Sequence, residues 1–311
     1  MASDWYAADA LKKLTDSLGL TNITPIARGW SGDRKYRVTR QDGTPALLRL
    51  SPPEHAVRKQ NGFQMCQRAA ALGIPMNQPL ACGQWAHGVY QLFSWVDGQD
   101  AEPAIPALPE NRQYEYGLQA GQILRLLHTL PAPGDAEDWA ARFNRKIDAK
   151  VQGYLRCPLR YPGGQRLLDY LQANRGLLDG RPQSWHHGDY HLGNMMLDTQ
   201  GELVIIDFDR DDHGDPWEEF NRIVWCADIA PRFASGMVDG YFDGHVPDTF
   251  WPLLMLYIAS NTLSALPWAI PFGQGEVDTM MRQAADVLRW HDNMRRPVPG
   301  WYRAGGASSG G

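Results

Sequence analysis

The sequence has few cysteines, and none of them is spaced for a metal site. The 311-residue chain contains four, at positions 66, 82, 157 and 226, and no CxxC or Cys/His pattern joins them. We therefore expect reduced thiols and no sulfur-bound metal. The N-terminal segment also lacks the basic patch and apolar stretch of a secretory signal. Both features predict a cytoplasmic protein.

The chain also lacks an excess of positive charge. Its 30 Lys and Arg residues stand against 35 Asp and Glu residues, which gives a net charge of −5 and a pI near 6.0. Nucleic acids and anionic membranes attract basic surfaces. We therefore expect neither as a partner, and a cationic small molecule is favoured instead.

One long segment, residues 249–275, has no charged residue at all. Its length approaches that of a transmembrane helix. However, Pro252, Pro267 and Pro271 interrupt it, and polar residues occur inside it. We predict buried helices in a large domain rather than a membrane span.

Residues 186–219 carry the strongest functional signal. His187, Asp189 and Asn194 show the H-x-D-x-x-x-x-N spacing of a kinase catalytic loop. In such a loop the Asp takes the proton of the acceptor hydroxyl, and the Asn binds a metal ion. The spacing therefore predicts Asp189 as the catalytic residue.

A β-hairpin is predicted directly after this loop. Residues 195–198 lead through a turn into the β-branched run at 203–206, and Asp207 stands at the end of that run. The hairpin would bring Asp189, Asn194 and Asp207 together as oxygen-bearing side chains. Such groups suit a Mg²⁺ ion that bridges nucleotide phosphates.

The runs HGDYHLGN and VIIDFDRDDHGDPWEEF resemble the aminoglycoside phosphotransferase family. Gly188 stands where protein kinases have Arg, and the metal motif is Asp-Phe-Asp rather than Asp-Phe-Gly, so a small-molecule kinase is favoured. The resemblance extends over about residues 20–302. It implies a protein-kinase-like α+β fold with two lobes, an N-terminal antiparallel sheet with a helix and a mainly helical C-terminal lobe. It also implies transfer of the γ-phosphoryl group of ATP or GTP to a hydroxyl of a small acceptor, with Mg²⁺.

The resemblance also suggests how the chain is divided. We expect a nucleotide-binding lobe at residues 1–96, a catalytic and acceptor-binding lobe at 97–304, and a flexible tail at 305–311. In the first lobe, a loop with Ser31 and Gly32 and the arginine Arg49 would hold the phosphates. The strand before the lobe boundary would contact the purine through Phe93, Ser94, Trp95 and Val96. The alternatives are a simple hairpin turn for the loop and a core position for the two aromatic residues.

Arg49 departs from the kinase pattern, which has lysine at this position. A guanidinium group can carry the same charge, but its planar fork is not equivalent to an ammonium group. The following helix, roughly residues 56–72, contains no Asp or Glu that could pair with it. By its spacing we expect Gln64 to be the partner, with Glu54 as an alternative.

The acceptor-binding residues are predicted from an acidic cluster. Residues 207–219 contain seven acids and one base, Arg210. Part of this cluster could bind a polycationic acceptor such as an aminoglycoside, and Trp268 belongs to an aromatic segment that suits a choline-like cation or a flat apolar ligand. The alternative is that Asp215 and Glu219 hold helices and loops. The predicted acceptor-binding residues are Asp209, Asp212, Glu218, Glu219 and Trp268.

Other functions remain open on these residues. Relatives with this fold also act on choline, homoserine, sugars and macrolides, and Arg49 would also fit a nucleotide-binding pseudokinase. A metal hydrolase built on His186, His187, His191 and His213 is a third alternative, but their spacing fits no zinc template. Neither the choice between ATP and GTP nor the oligomeric state follows from the sequence.

Overall fold

The computed structural model describes residues 8–27, 32–85 and 87–305, and for Ala8 the backbone only. Two compact units form the structure. The first contains the described residues up to 99 together with residues 196–209, and the second contains residues 100–195 and 210 onward. This grouping differs from the predicted contiguous division, because the segment 196–209 packs with the first unit. The loop residues 28–31 and the tail after 305 lie outside the described residues.

The first unit is built on an antiparallel five-stranded sheet in the order β1-β2-β3-β5-β4. Alternating apolar residues turn one face of this sheet toward helix α1, where Leu14, Val38, Leu48 and Leu92 are buried together. Helix α2 contacts β4 and β5. The elements are α1 (Ala8–Ser17), β1 (Thr21–Ile26), β2 (Arg34–Thr39), β3 (Pro45–Ser51), α2 (Ala56–Ala71), β4 (Pro79–Trp85) and β5 (Gly88–Ser94).

The predicted hairpin after the catalytic loop is confirmed. In the order β6-β8-β9, a small sheet joins Gly98–Asp100 (β6), Met195–Asp198 (β8) and Leu203–Ile205 (β9). The Ile205 amide donates a 2.9 Å hydrogen bond to the carbonyl of Pro75. This bond attaches β9 to the first unit and places the Asp207 segment there.

The second unit is mainly helical, as the sequence predicts. A short antiparallel pair of strands, β7 (Ser184–His186) and β10 (Asp212–Gly214), lies among the helices. The helices are α3 (Ala101–Ala104), α4 (Glu110–Leu127), α5 (Trp139–Arg156), α6 (Gly164–Asn174), α7 (Ile223–Ile229), α8 (Pro231–Phe242), α9 (Phe250–Ala269) and α10 (Gln274–Trp290).

Helices α4 and α8 pack with their backbones in direct contact. A Cβ atom at Gly117 would lie 2.2 Å from the carbonyl oxygen of Phe233, and one at Gly240 would lie 2.2 Å from that of Leu118. Only glycine allows so close an approach. Helix α4 in turn supports the catalytic loop, because the Tyr190 hydroxyl donates a 2.7 Å hydrogen bond to the Ala120 carbonyl.

The charge-free segment forms the central helix of the second unit. Helix α9 is buried along most of its length, and in its most apolar window 67% of the helix is buried inside the protein. Among the described residues, 250–272 is the one helical stretch long and apolar enough to cross a membrane. Its burial is that of a core helix and agrees with the prediction of buried helices.

Candidate active site

The backbone of the catalytic loop is held by a buried carboxylate. Glu219 is 2% exposed, and its side chain accepts hydrogen bonds from the backbone amides of His187 at 2.8 Å and Gly188 at 2.6 Å. This corrects the predicted acceptor-binding role of Glu219, because a carboxylate in this position is not available to a ligand. It agrees with the alternative that Glu219 holds a loop.

Replacing Glu219 with glutamine should lower kcat by about tenfold and destabilise the protein. The amide group can accept only one of the two backbone hydrogen bonds, and a buried donor left without its partner costs about 1–3 kcal/mol. Thermal unfolding and steady-state kinetics would measure the two effects. An exposed acid of the same unit, Asp228, provides a matched control as Asp228→Asn. Unchanged kinetics for Glu219→Gln would contradict the supporting role.

Gly188 allows the loop to turn beneath Asp189. Its φ is +83°, and a Cβ atom there would lie 1.8 Å from the carbonyl oxygen of Arg210. Any other residue would be strained by the backbone angle and would collide with the chain. The glycine that marks the resemblance to small-molecule kinases therefore also has a local structural reason.

Asp189 lies among two arginines and a histidine of the second unit. Its carboxylate oxygens are 3.2 Å from Arg222 Nε, 3.7 Å from Arg210 and 3.7 Å from His191 Nε2. Burial by itself would raise the pKa of Asp189, but the neighbouring His191 ring and the charges of Arg222 and Arg210 together hold it below the usual range. The side chain is 18% exposed, so an ionised carboxylate remains accessible at neutral pH.

The Asn194 side chain is oriented by the same loop. Its Nδ2 donates a 2.8 Å hydrogen bond to the backbone carbonyl of Asp189. This bond leaves Oδ1 as the free acceptor of the amide group. An amide oxygen is a hard ligand, so Asn194 fits a magnesium ligand.

The other predicted acceptor-binding acids of the second unit already have partners. Both oxygens of Asp212 accept 2.7 Å hydrogen bonds from Arg142, and Lys146 lies 3.3 Å away. Burial would raise the pKa of Asp212, but the Arg142 hydrogen bond and nearby cations lower it to about 2. Glu218 accepts a 3.2 Å hydrogen bond from Asn221. Asp212 is therefore neutralised within the protein, whereas Glu218 keeps its charge and is held by a neutral amide.

Asp215 is fully buried. Its carboxylate accepts hydrogen bonds from Arg181 at 2.7 and 3.0 Å and from the Tyr257 hydroxyl at 2.7 Å. This agrees with the alternative in which Asp215 stabilises the fold. Trp268, near the end of α9, is 42% exposed, and its ring packs against Phe272.

Arg49 is the centre of an ion-pair network in the first unit. It is 5% exposed, and its guanidinium contacts Asp33 at 2.6 Å, Asp207 at 2.8 Å and Asp209 at 2.6 Å. Lys59 of α2 contacts Asp33 at 2.6 Å and also contacts Asp209. Asp209 is therefore paired with cations of the first unit, which corrects its predicted role in acceptor binding.

The predicted partner of Arg49 is wrong. Gln64 lies on the exposed face of α2, and Glu54 is exposed as well. The carboxylate that holds Arg49 comes instead from Asp33, just before β2. In the antiparallel pair of β2 and β3, Lys35 lies opposite Arg49, which brings Asp33 near this arginine. The register of these two strands could therefore have identified Asp33 as the partner. Burial would raise the pKa of Asp33, but Arg49 and Lys59 lower it.

Asp207 remains accessible within this network. Its side chain is 35% exposed, with Oδ1 2.8 Å from Arg49 and Oδ2 3.8 Å from Lys35. Its φ of +62° is unusual for a residue other than glycine and is found at functional positions. No group of three or more His, Cys, Asp or Glu residues suitable for a metal occurs in the described part of the chain. A magnesium ion bound through Asp207 would need phosphate and water oxygens as further ligands, which is its usual coordination.

Residues 93–96, which were predicted to contact the purine, differ in how their backbone groups are hydrogen-bonded. Phe93 is buried against Phe63, with ring centroids 5.5 Å apart, so its side chain belongs to the core. The backbone amide of Ser94 donates to Gln78, and that of Trp95 donates to Pro45. The Val96 backbone forms no hydrogen bond with any described residue, so its amide and carbonyl groups are available to a ligand. Ser31 lies outside the described residues, and a Cβ at the neighbouring Gly32 would meet no atom within 4 Å.

An antiparallel sheet unit with one helix, followed by a mainly helical unit that carries an HxDxxxxN loop, is the arrangement expected of a small-molecule kinase. The model of the phosphotransferase enzyme family APH matches residues 22–251. The chain belongs to this family of phosphotransferases.

Solved structures support the same fold. A thermostable mutant of the aminoglycoside phosphotransferase APH(4)-Ia, in complex with ADP and hygromycin B, has a TM-score of 0.64 at 16% identity, over 89% of this chain and 97% of that one. A choline/ethanolamine kinase family protein from Mesorhizobium loti has a TM-score of 0.64 at 16% identity, over 93% and 97%. The amicoumacin kinase hAmiN has a TM-score of 0.62 at 14% identity, over 96% and 98%. No curated protein sequence matches the chain.

Proposed function

We propose that this phosphotransferase transfers the γ-phosphoryl group of ATP or GTP to a hydroxyl group of a small molecule. The observation that carries the proposal is the accessible, ionised carboxylate of Asp189 on a loop that also orients Asn194. Phosphoryl transfer depends mainly on positioning and on electrostatic stabilisation. A carboxylate fixed by several neighbours provides such positioning.

Asp189 would orient the acceptor hydroxyl and accept its proton as the new oxygen–phosphorus bond forms. The bond between the γ-phosphorus and the bridging β-phosphate oxygen breaks in the same transfer, and ADP or GDP leaves. Arg222 and Arg210 keep the carboxylate ionised, and Glu219 fixes the loop beneath it.

In the first unit, the Val96 backbone would recognise the purine. The loop with Ser31 and Gly32 would hold the phosphates. Arg49, which was predicted to share this role, is buried with its guanidinium paired to Asp33, Asp207 and Asp209, so it would position Asp207 instead.

Each unit offers an oxygen of the kind that magnesium prefers. In the second unit this is Oδ1 of Asn194, and in the first unit it is the exposed carboxylate of Asp207, whose position Arg49 fixes. When bound, the ion would neutralise charge on the phosphate oxygens. Related folds have been solved with ADP or with AMP-PNP and Ca²⁺, which supports the use of a nucleotide and a divalent cation.

The proposal leaves out the predicted cationic character of the acceptor. That prediction depended on acidic residues which the structure shows in ion pairs or buried hydrogen bonds. The neighbours named above differ in substrate, so their fold does not select one acceptor.

The test is nucleotide consumption with Mg²⁺, using ATP and GTP in parallel and Asp189→Asn as the blank. The acceptor panel should contain aminoglycosides, choline, homoserine, sugars and macrolides. Stimulation by one acceptor class that disappears in the blank is the expected result. A nucleotide-induced rise in melting temperature without turnover would favour a nucleotide-binding pseudokinase, and no nucleotide effect at all would overturn the proposal.

A further inference from the structure

We propose that the acceptor carries an anionic group, such as a carboxylate, and that Lys150 and Arg222 bind this group. The inference depends on the proposed phosphotransferase function, since it concerns the acceptor of that reaction. All the contacts that carry it lie within the second unit. They reverse the expectation of a cationic acceptor that the acidic cluster suggests.

Helix α5 presents a row of cations along one face. Arg142, Lys146 and Lys150 are spaced by four residues, so their side chains follow one another along the helix. Trp139 and Phe143 lie beneath this row, with Lys146 Nζ 5.6 Å from the ring centroid of Trp139 and Lys150 Nζ 5.8 Å from that of Phe143. The ammonium groups of Lys146 and Lys150 therefore pack over aromatic rings rather than extend into solvent.

The cations of this row outnumber the carboxylates that meet them. Asp212 is shared by Arg142 and Lys146. Lys150 makes no hydrogen bond or ion pair with any described residue, although it is half-buried. A half-buried ammonium without a carboxylate partner is unusual, because desolvation of a charge is normally offset by pairing. An anionic ligand would supply the missing partner.

Lys150 is influenced by two neighbouring cations and one carboxylate. Burial lowers its pKa to about 8; among the neighbouring charges Glu218 raises the pKa, and Lys146 and Arg222 lower it. At neutral pH the amine is protonated, and it is repelled by these two cations. Binding of an anion would relieve this repulsion, whereas binding of a cation would increase it.

Arg222 connects the row to the reacting group. Arg222 lies close enough to Lys150 to lower the pKa of that lysine. The Nε atom of Arg222 is also 3.2 Å from Asp189 Oδ1. An acceptor whose anionic group contacts Lys150 and Arg222 would therefore have its hydroxyl within reach of Asp189. Arg210, 3.7 Å from the same carboxylate, adds a further cation.

The experiment compares acceptors that share a hydroxyl-bearing skeleton and differ in charge. Glucuronate, glucose and glucosamine form one set, and glycerate, glycerol and 3-aminopropane-1,2-diol form another. We expect kcat/KM to be at least about tenfold higher for the anionic member, as one charge-assisted contact allows. In Lys150→Gln this preference should be lost through a higher KM, with kcat nearly unchanged, and Lys150→Arg should restore it.

The matched control is Arg145→Gln, which removes one positive charge from the exposed side of the same helix, where Arg145 pairs with Glu137. It should leave the preference intact. The KM for the anionic acceptor should also rise as the pH increases through about 8, where Lys150 loses its proton, and Lys150→Arg should remove that rise. A higher kcat/KM for the amine-bearing member, or equal effects of Lys150→Gln and Arg145→Gln, would overturn the inference.

A binding measurement separates this inference from the proposed function. Calorimetric titration of the wild type and Lys150→Gln with glucuronate and with glucosamine needs no turnover. The expected result is that the wild type binds glucuronate but not glucosamine, and that Lys150→Gln binds glucuronate more weakly. This result supports the anion-binding site even if no phosphoryl transfer is found. Absence of glucuronate binding, or binding of equal strength in the variant, would overturn the inference while a nucleotide-induced rise in melting temperature still supports the kinase.

Discussion

Replacing Asp189 with asparagine should lower kcat by about 10²–10⁴-fold, the range that a positioned acid or base contributes. The asparagine can still contact a hydroxyl group, but it cannot accept its proton. It also removes the negative charge that Arg222 and Arg210 now share. Nucleotide affinity should change little, because the predicted nucleotide-binding residues belong to the first unit.

Kinetics and nucleotide binding need to be measured on the same preparations. Asp228→Asn is a suitable control, because it removes an exposed carboxylate from the second unit. The low pKa of Asp189 gives a second check. Since the carboxylate stays ionised well below neutral pH, loss of its charge should not limit the wild-type rate between about pH 5 and 8. Near-normal turnover in Asp189→Asn would contradict the catalytic role.

The parts of the site that the sequence predicts are local. The spacing of Asp189 and Asn194, and the hairpin that ends before Asp207, depend on residues within about one turn or strand of each other. The long helices and the sheet strands also follow from short apolar patterns. Gly188 is part of the family resemblance, and its positive φ explains why that position needs glycine.

The parts that the sequence does not predict depend on contacts between distant residues. Asp212 looks like a free acid until α5 brings Arg142, 70 residues earlier, into contact with it. Glu219 looks like a surface acid until its 3-10 turn places it beneath the catalytic loop, 31 residues away. A count of acids in a segment says nothing about such partners. For this reason the acidic cluster suggested a cationic acceptor, whereas the contacts favour an anionic one.

The Arg49 network shows the same limit for the nucleotide-binding unit. Kinases usually place an acid in the helix that follows the strand of Arg49, but in this chain the helix contains glutamines and no Asp or Glu. In this chain that helix supplies Lys59, and the carboxylates come from Asp33, Asp207 and Asp209. The pairing is thus rearranged rather than lost, which weakens the argument for a pseudokinase based on Arg49 alone.

Replacing Arg49 with methionine should destabilise the protein by about 3–5 kcal/mol, as expected when one partner of a buried ion pair is removed. Methionine fills a similar volume, so the loss would come mainly from charge. Asp33 would keep Lys59 as its partner, but Asp207 would lose its closest cation. Arg49→Lys should cost less, because it keeps the charge, but an ammonium group cannot contact three separate carboxylates as the guanidinium does.

Chemical denaturation of the wild type, Arg49→Met and Arg49→Lys would measure these differences in the free energy of unfolding. Arg40→Met is the control. Arg40 forms an exposed ion pair with Asp42 in the same unit, so its loss should cost less than about 1 kcal/mol of stability.

The stabilisation should also depend on pH. The pKa of Asp33 is lowered in the folded state, so the stability that its ionised carboxylate contributes is present above its unfolded pKa and is lost as the pH falls toward the folded value. The difference between the wild type and Arg49→Met should therefore shrink below about pH 4. Two results would contradict a role of the three carboxylates. One is a loss of unfolding free energy in Arg49→Met that stays constant down to pH 3, and the other is a loss no larger than that of Arg40→Met. Either would show that Arg49 stabilises the unit through packing.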